Sequence, residues 1–78
     1  MTKLPGVSSD EVIQVLRKVG FISAPKRGKG SHTALYRTDE SGQKRLVIVP
    51  KRKDLPRGTL SAILEQAGIT REEFLRLL

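Results

Sequence analysis

Apolar positions recur along this chain with two different periods. Val12, Val15, Leu16 and Val19 follow the i, i+3, i+4, i+7 spacing of one buried helix face. Ser8 stands before them as an N-cap, and Glu11 falls at N3, which together make a capping box. Val7 and Val12 flank that box at the spacing of a hydrophobic staple. Asp10 and Glu11 suit the positive end of the helix dipole, and Arg17 and Lys18 the negative end. Gly20 is the natural stop, with Phe21 placed to touch Leu16.

The period then shortens to two. Residues 21–24 predict a first strand ended by Pro25, and residues 32–38 a second. On the second, His32, Ala34 and Tyr36 share one face, and Thr33, Leu35 and Arg37 the other. Asp39-Glu40-Ser41-Gly42 is a turn cluster. Residues 45–49 predict a third strand around the β-branched run Val47-Ile48-Val49, stopped by Pro50. Helical spacing returns in Leu60, Ile63, Leu64 and Ala67, in a helix that begins within residues 55–59. Gly68 ends it, with Ile69 against Leu64. A short last helix has Thr70 as N-cap, Glu73 at N3 and Ile69 with Phe74 as the staple. Leu75, Leu77 and Leu78 give it apolar surface.

The predicted fold is α+β, in the order α-β-β-β-α with a short C-terminal helix. A three-stranded antiparallel sheet buries one face against the two main helices. The other face, or its rim, is left to carry the polar chemistry. Residues 1–78 form a single domain, since 78 residues give room for one small core and a shallow site only.

Composition narrows the function. Cysteine is absent, which removes disulfides, thiolate catalysis and thiolate metal sites. One histidine with scattered carboxylates predicts no metal site and no cofactor. No apolar run approaches a membrane span and residues 1–6 lack a signal-peptide core, so the expected location is cytoplasmic. The net charge of +7 is concentrated. Residues 26–53 hold nine Lys and Arg against only Asp39 and Glu40, and the rest of the chain is neutral. A localised basic excess favours a polyanionic partner, most often nucleic acid.

His32 is the one side chain suited to proton transfer near neutral pH. It follows Lys26-Arg27-Gly28-Lys29-Gly30-Ser31, where glycines permit close backbone approach to a phosphate and cations neutralise it. Ser31 beside His32 is no hydrolase pair, because adjacent strand residues point to opposite faces. Tyr36 shares the face of His32, as a hydrogen-bond donor or as a cross-strand packing residue. Lys51-Arg52-Lys53 forms a basic exit from the third strand, either a phosphate contact or a solvated loop.

These pieces together resemble the HicA family of bacterial and archaeal toxins. The resembling segments are Leu4-Pro5-Gly6-Val7, Leu16-Arg17-Lys18-Val19-Gly20-Phe21, Gly30-Ser31-His32, Val49-Pro50 and Gly58-Thr59-Leu60-Ser61-Ala62-Ile63-Leu64. They cover nearly the whole chain in the expected order. The resemblance implies a fold like that of double-stranded-RNA-binding domains. It also implies ribosome-independent cleavage of mRNA with His32 as the catalytic residue. The implied partner is a HicB-type antitoxin, with which the toxin forms a hetero-oligomer and which covers the His32 face. Many members carry a second histidine after the Val-Pro, where this chain has Lys51-Arg52-Lys53.

The expected function is therefore a metal-independent endoribonuclease toxin. Its RNA-binding residues would be Lys26, Arg27, Lys29, Gly30, Ser31, Lys51, Arg52 and Lys53. Two other readings of the same residues are a non-catalytic RNA-binding module and a domain that meets only an acidic protein.

Overall fold

A computed structural model describes residues 4–24 and 32–78. The elements run α1 (Ser9–Lys18), β1 (Ile22–Ser23), β2 (His32–Thr38), β3 (Lys44–Pro50), α2 (Arg57–Ala67) and α3 (Arg71–Leu77). The strands form one antiparallel sheet in the order β1-β2-β3. The α-β-β-β-α-α order is that expected, with the C-terminal turn a full third helix.

Local chemistry explains where the helices begin and end. The Ser8 hydroxyl accepts from the Glu11 amide at 3.2 Å, and the Glu11 carboxylate accepts from the Ser8 amide at 3.0 Å. At the other end Gly20 takes φ +99°, the Gly20 amide donates to the Arg17 carbonyl, and the Phe21 amide to the Leu16 carbonyl. That double bond is a Schellman stop. It turns Phe21 into the core, where its side chain is fully buried. Phe21 thus closes a helix and leaves β1 only two residues, shorter than the four predicted.

Gly68 ends α2 in the same manner, with φ +73° and the Ile69 amide donating to the Leu64 carbonyl at 3.0 Å. A Cβ placed at Gly68 would lie 3.0 Å from Cζ of Arg45. That contact can yield, because a guanidinium is the far end of a flexible side chain, but the left-handed backbone cannot. Gly68→Ala is expected to destabilise the domain by about 1–2 kcal/mol. Urea unfolding should show a lower midpoint at unchanged slope.

The hairpin between β2 and β3 is held by its turn. The Asp39 carboxylate accepts from the Ser41 hydroxyl at 2.6 Å, the Gln43 amide at 2.9 Å and the Ser41 amide at 3.0 Å. These bonds, led by that from the Ser41 hydroxyl, hold the carboxyl below the ordinary aspartate range, with a smaller contribution from Arg45.

The two sheet faces differ sharply. Leu35, Val47 and Val49 point to the helices and are fully buried. They meet Val12, Val15 and Leu16 of α1, Leu60, Ile63 and Leu64 of α2, and Phe74 of α3 in one core. The opposite face holds the exposed Ile22, Leu46 and Ile48, the half-buried Tyr36 and the buried Ala34, and has no helix over it among the described residues. The open face was expected to carry the basic segment, or else its rim. Aliphatic side chains occupy its middle; of the segment's described cations, Arg37, Lys44 and Arg45 lie within the strands, and Lys51, Arg52 and Lys53 lie just past the end of β3, at the rim.

Candidate nucleic-acid interface

His32 opens β2 and is exposed. The β2–β3 register pairs it with Pro50, the last residue of β3. Lys51, Arg52 and Lys53 follow directly, all exposed. The single imidazole and three consecutive cations therefore lie at the same end of one hairpin. Lys26, Arg27, Lys29, Gly30 and Ser31 lie outside the described residues.

The chain leaving β3 is tied down. The Arg52 carbonyl accepts from the Ser9 amide at 2.9 Å and from the Ser9 hydroxyl at 3.1 Å, while the Arg52 amide donates back to the Ser9 hydroxyl at 3.1 Å. The Leu55 amide donates to the Val7 carbonyl at 2.9 Å. Ser9 is only 4% exposed, the sole buried polar residue among those described. These bonds fix the backbone of Lys51-Arg52-Lys53 against the start of α1, so the cations stand on a held segment rather than a free loop. A shallow concavity lies between Ser8, Ser9 and Asp10 on one side and Lys51, Arg52 and Lys53 on the other. Sequence reasoning used Ser8 as the cap and missed Ser9. No local pattern marks a serine whose partner lies 43 residues away.

Two arginines counted in the basic segment serve the scaffold. Arg37 donates to the Val19 carbonyl at 2.7 Å and lies 5.7 Å from the centre of the Phe21 ring. Arg45 reaches Asp39 at 4.0 Å and the Gln66 carbonyl at 3.5 Å. Each braces a helix end, where a cation offsets the negative pole of the dipole. Within that segment, the described cations left to meet an outside anion are then Lys44 and the Lys51-Arg52-Lys53 run.

Tyr36 lies two residues along β2 from His32, on the same sheet face, and is half-buried. Lys44 Nζ stands 4.7 Å over its ring, a cation–π contact. Its observed partner is thus a cross-strand neighbour. No group of three His, Cys, Asp or Glu side chains comes together among the described residues. No helix among them is long and apolar enough to cross a membrane.

The chain is thus an α-β-β-β-α-α domain with an exposed histidine and a held basic run at one hairpin end. Residues 9–69 match the family model described as the HicA toxin of bacterial toxin-antitoxin. The chain belongs to the HicA toxin family. A search of the curated proteins returned no match. Membership makes this chain the toxin half of a toxin–antitoxin system, which implies an antitoxin partner.

Proposed function

We propose that this protein is an endoribonuclease that cleaves mRNA through His32 without a metal ion. The observation that carries the reading is the pairing of His32 with Pro50, which brings the only imidazole and Lys51-Arg52-Lys53 to one strand end. Family membership supports it, since HicA toxins generally cleave mRNA.

The imidazole of His32 removes the proton from a ribose 2′-hydroxyl. The freed oxygen attacks the adjacent phosphorus, and the bond from phosphorus to the 5′-oxygen breaks. The leaving 5′-oxygen takes up a proton, for which Tyr36, a lysine and water are the candidate donors. The products carry a 2′,3′-cyclic phosphate and a 5′-hydroxyl. Lys26, Arg27 and Lys29, with the Gly30 and Ser31 amides, stabilise charge on the phosphoryl oxygens. Lys51, Arg52 and Lys53 bind the flanking backbone without reading its sequence. A HicB-type antitoxin restrains the enzyme in the cytoplasm by covering the His32 face in a hetero-oligomeric complex.

The mechanism depends on the 2′-hydroxyl. An RNA carrying one 2′-deoxynucleotide at the cleaved position should resist cutting there while still binding, and DNA should survive. The assay is a gel with EDTA present, followed by mapping of the product ends. Cleavage at the 2′-deoxy position would overturn the mechanism. Binding without cleavage of any RNA would leave a non-catalytic binding module.

A further inference from the structure

The chain that leaves β3 belongs to no helix or strand over residues 51–56. Its backbone is nevertheless fixed on both sides of Lys51, Arg52 and Lys53. Pro50 pairs with His32 before them, and the Leu55 amide donates to the Val7 carbonyl after them. Val7 and Leu55 are both buried in the core, so that second tie is itself secure. These two ties suffice to end the sheet and lead the chain on to α2.

A third tie lies between them, and folding does not call for it. Ser9 commits its amide and its hydroxyl to one residue. Both donate to the Arg52 carbonyl, and the hydroxyl oxygen accepts from the Arg52 amide. The backbone of an exposed surface segment is ordinarily left to water. Here the only buried polar residue among those described holds it. The side chains that stay in solvent around this bond are Lys51, Arg52 and Lys53. What the bond fixes is therefore the placing of cations.

The start of α1 is an anchor rather than the seat of an anion. Its Ser9 amide is taken by the Arg52 carbonyl and its Glu11 amide by the Ser8 hydroxyl. Asp10 lines the adjoining concavity and adds a negative charge there.

We infer that Ser9 is a positioning residue for RNA binding. Its hydroxyl holds the Arg52 backbone, so that Lys51, Arg52 and Lys53 meet the phosphates flanking the cleaved bond already ordered. The inference rests on the ribonuclease reading for the identity of the anion, and adds a residue that touches no RNA. A loose basic run would lose backbone entropy at every binding event. A run held beforehand loses it once, on folding. The flanking contacts are the same before and during bond breakage, so the clamp acts on affinity and not on the chemical step.

The test is Ser9→Ala, followed by filter binding of a defined RNA and by single-turnover cleavage of it in EDTA. The substitution removes the hydroxyl and keeps the amide. The Kd for RNA should rise about 10-fold, the entropy of ordering roughly one residue of backbone, while the cleavage rate at saturation stays within about twofold. A double-mutant cycle separates positioning from general weakening. In a Lys51→Ala/Arg52→Ala/Lys53→Ala background, Ser9→Ala should change RNA affinity by less than about twofold, because the clamp has no cations left to place. Gly68→Ala also destabilises the domain but lies by Arg45, near the other end of β3, and should bind RNA like wild type. Hydrogen exchange on the wild-type protein needs no variant to fold. Its Arg52 amide should exchange at least about 100-fold more slowly than an unstructured amide.

An unprotected Arg52 amide overturns the proposal, as does a folded Ser9→Ala that binds RNA like wild type. So does an equal loss of affinity in the background without the cations, which would make Ser9 a purely structural residue. Wild type that binds RNA and cuts none, with the cycle as expected, would uphold the clamp and overturn the ribonuclease reading. Wild type that cuts RNA with an affinity indifferent to Ser9 would do the reverse.

Discussion

His32→Ala should lower the rate of RNA cleavage by about 10²–10⁴-fold, the usual contribution of one positioned proton-transfer group. The substitution separates chemistry from folding cleanly. His32 begins a strand, is exposed, and is no part of the hydrophobic core. Alanine there creates no cavity, and the backbone pairing with Pro50 needs no imidazole. Thermal unfolding should shift little, and RNA affinity should persist because phosphate contacts dominate it. His32→Gln is the sharper control. It keeps a polar side chain of similar reach but cannot exchange a proton in the working pH range, so it should be as slow as alanine. The measurement is single-turnover cleavage of a defined RNA in EDTA, beside filter binding of the same RNA. Equal cleavage by wild type and both variants would remove His32 from the mechanism.

Helix boundaries were legible in the sequence, because caps are local. Ser8 with Glu11, Gly20 with Phe21, Gly68 with Ile69, and Thr70 with Glu73 each act across three or fewer residues. A short-range pattern suffices to read them. The limits of β2 were also plain: the strand expected over residues 32–38 runs from His32 to Thr38, closed by the Asp39-Glu40-Ser41-Gly42 turn cluster. The open face was not legible. Val47-Ile48-Val49 reads as a uniformly apolar run, yet its middle residue is 39% exposed and its neighbours are fully buried. Only the placement of the helices decides which face is covered. The charge count could not separate scaffold cations from free ones, for a related reason. Charge counting treats Arg37 and Arg45 like Lys51, but tertiary contacts commit those two to helix ends and the hairpin turn. The candidate site was half legible. His32 and the cations of residues 51–53 stand out by residue type, while their closeness depends on a strand register and on the Ser9 clamp.

The largest effect on stability should come from Phe74→Ala, at about 3–5 kcal/mol. Phe74 lies beyond residues 9–69, the span shared with the family model, and so looks dispensable. Its environment says otherwise. The side chain is fully buried, and it joins the same core as Leu16, Leu60 and Leu64. A seven-residue helix has too few internal hydrogen bonds to persist alone. The Thr70 cap, the burial of Ile69 and Phe74, the packing of Leu75 and Leu77 against the core, and the bonds from Lys18 Nζ to the Leu77 carbonyl at 2.8 Å and from Arg71 to the Ser61 hydroxyl at 3.4 Å hold it in place. Removing the ring therefore opens a cavity and also releases the helix. A chain of 78 residues has a total stability of roughly 4–12 kcal/mol. The loss is a large part of that and enough to unfold a weakly stable domain at 37 °C. Thermal denaturation followed by circular dichroism should show a much lower midpoint or no transition, and toxicity in cells should vanish with the fold. The antitoxin supplies the discriminating result. Saturating antitoxin should raise the melting temperature of Phe74→Ala, because a ligand selective for the native state stabilises it by mass action. His32→Ala loses chemistry and keeps its fold, whereas Phe74→Ala keeps its imidazole and loses the sheet that positions it.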